Sequence, residues 1–227
     1  MKIGILQTGH APDELRPDRG DYDAHFARLL EGQGLTFQTF NVVDMEFPED
    51  IHACDGWLIT GSKHGVYEDH PFIPPLEALI RDIYAAELPL VGICFGHQII
   101  AQALGGHVEK FKKGWSVGRT EYDWGGQPIA LNAWHQDQVI TPPEGATVLA
   151  QNDFCRNAAL VYNNRAFTVQ PHPEFDSAFI DGLATHRGPG VVPDARLAEA
   201  AANLNKPVDN AVLAAKIARF FKERTVA

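Results

Sequence analysis

Cys94 sits in Gly92-Ile93-Cys94-Phe95-Gly96, between the apolar run Pro89-Leu90-Val91-Gly92-Ile93 and a helical pattern carried by Ile99, Ile100, Ala103 and Leu104. This is the context of a nucleophile elbow, in which a reactive side chain occupies a sharp strand-to-helix turn. Flanking glycines relieve crowding around a strained backbone, and the free N–H groups of a helix N-terminus stabilise negative charge on sulfur. The N–H of Phe95, next after the nucleophile, is placed to donate to an oxyanion. A buried cysteine in a tight turn has the same local sequence, and Cys54 and Cys155, which lack such a turn, read as small hydrophobes.

A base for Cys94 is available in Gln170-Pro171-His172-Pro173-Glu174, at the end of the strand-like Ala166–Val169. Side chains alternate in extended chain, so His172 and Glu174 face the same side, and each proline keeps the residue before it extended. A carboxylate on one imidazole nitrogen fixes the tautomer and leaves the other to take a thiol proton. A lone His-x-Glu is ordinarily a strand-end histidine beside a solvated glutamate; the presence of Cys94 changes the balance. His135-Gln136-Asp137 offers a second His-x-carboxylate pair, but without proline restraint and in an expected loop, so it ranks below His172. His97, on the helix after Cys94, reads as packed or locally hydrogen-bonded. With neither His-Glu-x-x-His nor Cys-x-x-Cys present, no metal or other cofactor is expected.

The elements that must position these groups alternate along the chain. Lys2–Leu6 reads as a strand; Tyr22, Phe26, Leu29 and Leu30 as a helix stopped by Gly34; Thr36–Val43 and Gly56–Thr60 as strands; and Pro74–Ala86 as a helix. The pattern predicts an α/β fold with an open, mostly parallel sheet flanked by helices. After Gly106 short β-rich pieces imply an antiparallel excursion: His107–Val117, Thr120–Tyr122, Ile129–Leu131, Thr147–Ala150 and Ala158–Tyr162. Helices are expected over Asp194–Leu204 and Asn210–Arg224. Leu213, Ile217, Phe220 and Phe221 form an apolar stripe on the second of these. Residues 1–227 read as a single domain with a helical C-terminal extension over 175–227.

Composition narrows the partners. A 45% hydrophobic and 21% charged chain is that of an ordinary globular protein, and a net charge of -10 with no basic run beyond Lys112-Lys113 argues against nucleic acid. No window has the length of a membrane span, and the N-terminus lacks a secretory signal. Three dispersed cysteines make no disulfide framework, so a cytoplasmic location is expected.

Gly92–Gln98 together with His172-Pro173-Glu174 resembles the class I (triad-type) glutamine amidotransferase family, and the resemblance covers nearly the whole chain. Thr60–Asp69 is similar to the family's loop after a central strand, with His64-Gly65 where many relatives carry a serine. Trp134–Val139 is similar to its His-x-Asp-x-Val stretch. The resemblance implies a flavodoxin-like sheet, a Cys94–His172–Glu174 triad, and an oxyanion hole from the backbones of Gly61 and Phe95. It also implies glutamine contacts by Gln98 and by Trp115, Ser116 and Val117. The implied chemistry is attack of Cys94 on the δ-carbonyl of glutamine or a γ-glutamyl compound, followed by hydrolysis of the thioester.

The blocks look most like the glutaminase domain of GMP synthase, yet the chain has no phosphate-binding loop and no room for a second catalytic domain. Two enzymatic readings stand: an amidotransferase subunit that releases ammonia for a separate synthetase, or a self-sufficient γ-glutamyl peptidase. A non-catalytic binding or regulatory protein of the same fold is the third, disfavoured because all three triad positions are present.

Overall fold

The computed structural model describes residues 1–226; residue 227, the end of the expected C-terminal extension, lies outside them. Strand β1 (Lys2–Leu6) leads through a short helix α1 (Arg16–Arg19) to α2 (Tyr22–Leu29), whose N-cap Asp21 accepts a hydrogen bond from the Tyr22 N–H. Strands β2 (Thr36–Phe40) and β3 (Gly56–Ile59), helix α3 (Ile73–Ala85), strand β4 (Leu90–Ile93) and helix α4 (Phe95–Ala103) follow. Then come β5 (His107–Lys110), β6 (Ser116–Trp124), β7 (Gln127–His135), β8 (Asp137–Thr141), β9 (Ala146–Ala150), β10 (Ala159–Tyr162) and β11 (Ala166–Val169). The chain ends with α5 (Ser177–His186), α6 (Asp194–Asn203) and α7 (Asn210–Glu223).

The main sheet runs β2-β1-β3-β4-β11-β10-β9. Its first five strands pair in parallel, and β10 and β9 add antiparallel to that edge. β5–β8 and β6–β7 form two further antiparallel pairs. The mostly parallel, helix-flanked α/β sheet with an antiparallel excursion is therefore the observed architecture. The differences are local. Thr120–Tyr122 and Ile129–Leu131 are the centres of one long hairpin, β8 and α5 carry no strong periodic signal, and His135 ends a strand rather than lying in a loop.

Alternation along the central strands supplies two apolar faces. Ile3, Ile5, Leu58, Val91, Ile93, Phe167 and Val169 pack against Phe26 and Leu30 near α2 and against Leu213, Ile217, Phe220 and Phe221 of α7. Leu6, Trp57, Ile59, Leu90 and Ala166 pack on the other side against α3 and α4. The predicted stripe of α7 is thus a core face. The segment before it is fixed to β7 through Asp209, whose N–H donates to the Ala130 carbonyl at 2.7 Å and whose carboxylate accepts from the Ala130 N–H at 2.8 Å.

The parallel strands β3, β4 and β11 are adjacent, with Ile59 opposite Gly92 and Ile93 opposite Val169. Their C-terminal ends therefore deliver residues 60–61, 94 and 170–174 to one edge of the sheet, the place where open α/β sheets build their sites. Phe220 is fully buried and its ring lies 5.8 Å from that of Phe167 on β11, beneath this edge. Phe220→Ala is expected to cost about 3–5 kcal/mol, read by urea unfolding.

Candidate active site

Cys94 is the first residue beyond β4 and the N-cap of α4, and its backbone adopts φ 53° and ψ -103°. A non-glycine residue there carries strain of about 1–3 kcal/mol, and its surroundings impose it. The Cys94 N–H donates to the Val169 carbonyl at 2.9 Å, and the Gln98 N–H returns to the Cys94 carbonyl at 3.0 Å. The glycines of the elbow are required by packing: a Cβ on Gly96 would lie 2.3 Å from the Ile59 carbonyl oxygen, and one on Gly92 2.4 Å from the Gly96 carbonyl oxygen. The helix thereby sits directly against β3 and β4.

His172 follows β11 and is held by its N–H to the Asn132 carbonyl at 2.8 Å, while the Asn132 amide donates to the Phe175 carbonyl at 3.0 Å. Its ring stacks on Phe175, 4.0 Å between centroids and 5° from parallel. Nδ1 lies 2.7 Å from Glu174 Oε1, and both side chains are buried. Burial opposes charge on His172, but the Glu174 carboxylate and the facing Cys94 outweigh it and push its pKa up to about 10. The extended Pro-His-Pro-Glu segment therefore does place the carboxylate on the imidazole.

Gly61 completes the group from the β3 side. A Cβ there would meet His172 Cε1 at 2.8 Å, so only glycine lets this backbone approach the imidazole. The Thr60 carbonyl accepts from the Gly96 N–H at 3.1 Å and from the Thr8 hydroxyl at 3.0 Å, which fixes the peptide whose other end is the Gly61 N–H. That N–H makes no hydrogen bond among the described residues, and the Phe95 N–H, at the first position of α4, has no intrahelical acceptor. Two backbone donors thus flank the thiol.

A cavity of about 350 Å³ opens over Cys94, lined by Gln98 and Trp115 among others. The Gln98 amide nitrogen is already engaged by the Asp137 carbonyl at 3.0 Å and Gln170 Oε1 at 3.1 Å, leaving its oxygen without a donor among the described residues. Ser116 and Val117 do not line it; with Trp115, Arg119 and Arg196 they line a neighbouring cavity of about 220 Å³, and Trp115 lines both. His135 lines the Cys94 cavity, but its Nδ1 faces the Asp137 carbonyl at 3.2 Å and burial pushes its pKa down to about 3. His97 is packed inside, Nδ1 2.8 Å from the Thr168 hydroxyl, with its pKa pushed down to about 3 by burial.

Sequence reasoning missed part of the rim. Arg187 and Val191 reach the cavity from the segment after α5 and Lys110 from β5, whereas Lys63, Glu68 and Trp134 of its wall belong to the Thr60–Asp69 and Trp134–Val139 blocks singled out in the sequence. Arg187 also lines two neighbouring cavities, and its guanidinium makes no hydrogen bond or ion pair among the described residues. It sits at the C-cap of a helix whose sequence lacks a strong amphipathic signal.

Two measurements test this geometry. Relief of the backbone strain makes Cys94→Gly more stable than Cys94→Ala by about 1 kcal/mol, as read by denaturant melting. Buried His97 and His135 stay neutral in the fold while their unfolded forms bind protons below pH 6.5. The contribution of these two histidines to stability is therefore full above that pH and is lost as pH falls toward about 3, with up to about 1.4 kcal/mol per pH unit from each; urea midpoints from pH 6 to 4, where His172 is protonated in both states, measure the slope, which is shallower in His97→Gln.

A family model described as glutamine amidotransferase class-I matches residues 21–181. A glutamine amidotransferase-like protein of Schizosaccharomyces pombe is 30% identical over 244 residues, spanning 97% of this chain and 98% of that one. Gamma-glutamyl peptidase 4 of Arabidopsis thaliana is 32% identical over 173 residues, 69% of each chain. In fold, the crystal structure of a glutamine amidotransferase from Methylobacillus flagellatus superposes with a TM-score of 0.76 at 23% identity, over 99% of this chain and 92% of that one. With the family model spanning most of its length, the chain belongs to the glutamine amidotransferase class-I family.

Proposed function

We propose that the chain hydrolyses the side-chain amide of glutamine through a Cys94 thioester, releasing glutamate and ammonia. The observation that carries this reading is the buried His172–Glu174 pair at 2.7 Å, facing Cys94 between the unengaged N–H groups of Gly61 and Phe95. Sulfur attacks the δ-carbonyl, and the carbonyl oxygen takes up charge beside those two donors. His172, protonated at neutral pH, gives its proton to the departing nitrogen as the tetrahedral intermediate collapses to the thioester. A water then yields a proton to His172, attacks the thioester and returns sulfur to Cys94. Glu174 holds the imidazole in the tautomer that points Nε2 at the reacting atoms.

The other thiols are poorly suited to this work. Burial raises the Cys54 pKa and pushes that of Cys155 up to about 12.

A self-sufficient γ-glutamyl peptidase is the second reading, favoured by the likeness to the Arabidopsis peptidase and by a cavity with an open, polar rim. Ammonia delivery to a separate synthetase is the role proposed where glutamine is the donor. A steady-state assay with glutamine and γ-glutamyl dipeptides, alone and with co-purifying synthetase, separates the two. Glutamine turnover that falls at least about a thousandfold in Cys94→Ser is the expected result, and no turnover of any γ-glutamyl compound under either condition sinks the proposal. An electrophilic glutamine analogue is expected to label Cys94 ahead of Cys54 and Cys155.

The pH profile supplies a second prediction. Because His172 must carry a proton to release the amine, kcat is expected to hold through neutral pH and fall as pH rises through about 10. Glu174→Gln removes the main charge that holds this proton, so its alkaline limb moves to lower pH and its turnover drops by about a hundredfold or more.

A further inference from the structure

The loop between Gly61 and α3 brings together side chains that the proposed thioester chemistry does not use. His64, Glu68 and His70 offer one ligand atom each, all within 4.8 Å of one another. Glu68 Oε2 lies 2.8 Å from His70 Nε2 and 3.7 Å from His64 Nδ1. A tetrahedral Zn²⁺ with bonds of about 2.0–2.1 Å keeps neighbouring ligand atoms about 3.3 Å apart, and the two distances straddle that value. The third edge, His64 to His70, is within 4.8 Å, so closing the set on an ion takes side-chain shifts of up to about 1.5 Å.

The two imidazoles are also held for the task. Their centroids are 4.0 Å apart, and both rings rest on Phe72: His70 is stacked at 5.8 Å and His64 is tilted at 5.9 Å. Phe72 is itself buried against Phe95 at 6.0 Å, so the pair stands on the hydrophobic floor next to Cys94. Two imidazoles and a carboxylate form a donor set suited to a borderline divalent ion, neither the all-oxygen set of Ca²⁺ and Mg²⁺ nor a thiolate site. The spacing His-x₃-Glu-x-His matches neither zinc signature sought in the sequence, because the ligands come from a loop and not from one helix face.

We propose that His64, Glu68 and His70 bind one Zn²⁺-class ion at the mouth of the Cys94 cavity, with its fourth coordination position open to water or to a donor atom entering there. His64 and Glu68 line that cavity with Cys94, whereas His70 stands behind them. The ion supplies no step of the thioester chemistry. It joins Gly61's loop into a ring closed through three side chains, and so stiffens the wall that carries one of the two backbone donors.

Cys94 and His172 are themselves a soft ligand pair, so the test is run in Cys94→Ala protein, which lacks the thiol. Isothermal titration with Zn²⁺ is expected to show one ion per chain, and Co²⁺ to give the intense visible d–d bands of a tetrahedral site. Adding His70→Ala or Glu68→Gln is expected to weaken Zn²⁺ binding at least tenfold and to abolish those bands. Glu68→Gln is nearly isosteric at a half-exposed position and keeps the fold, as circular dichroism will verify. His107→Ala, at an exposed histidine on β5, is expected to bind as tightly as its parent. Absence of Zn²⁺ binding in the Cys94→Ala protein, affinity unchanged by both His70→Ala and Glu68→Gln, or an equal loss in His107→Ala would each overturn the proposal.

Discussion

The structure depends on a single steric constraint, the close seating of α4 against β3 and β4. Gly96 rests on the Ile59 carbonyl and Gly92 beneath the Gly96 carbonyl, at separations no side chain tolerates. With the helix that close, the turn joining it to β4 has no relaxed conformation available, and Cys94 takes a positive φ. The strain is balanced by the packing of the layers on both sides of the sheet, which no single residue at the site supplies. The same seating lets the Gly96 N–H reach the Thr60 carbonyl and so orients the Gly61 peptide. One contact between helix and sheet therefore positions both the sulfur and the loop opposite it.

Electrostatics is built on that frame. His172 is buried, which alone would favour the neutral ring, and a carboxylate 2.7 Å away reverses the preference. His97 and His135 are equally buried but face a hydroxyl and a carbonyl, and they stay neutral. Three imidazoles in one region thus have two protonation habits, and the difference is whether an anion stands beside the ring.

Much of this was legible in the sequence because the signals were local. Two glycines around a cysteine between a strand pattern and a helix pattern describe a turn whose geometry follows from sterics, and alternation in Pro-His-Pro-Glu places the carboxylate without knowledge of the fold. The long β6–β7 hairpin and α5 were less visible, since their residues are dictated by tertiary packing more than by periodicity. Ser116 and Val117 were expected to contact the substrate, yet they line a neighbouring cavity that shares only Trp115 with the one over Cys94, because proximity in sequence does not say which residues of a segment face a site. Arg187 and the grouping of His64, Glu68 and His70 were not legible for a related reason: both depend on how a loop folds back, and a loop has no period to read.

The segment after α5 forms part of the cavity rim, while the chain's reactive groups come from strand ends in the core. On the proposed reading, part of the entrance thus hangs from a different stretch of polypeptide than the groups that break the bond, while the loop after Gly61 supplies wall beside them. Asp209 pins the far end of that rim segment to β7, so its span is bounded on both sides by fixed points. It carries α6, which packs on β6 so closely that a Cβ on Gly118 would lie 2.8 Å from Ala200, so this part of the rim is held on the same frame as the edge that carries Cys94. On the proposed reading, entrance and chemistry come from separate stretches of chain yet share one packed body.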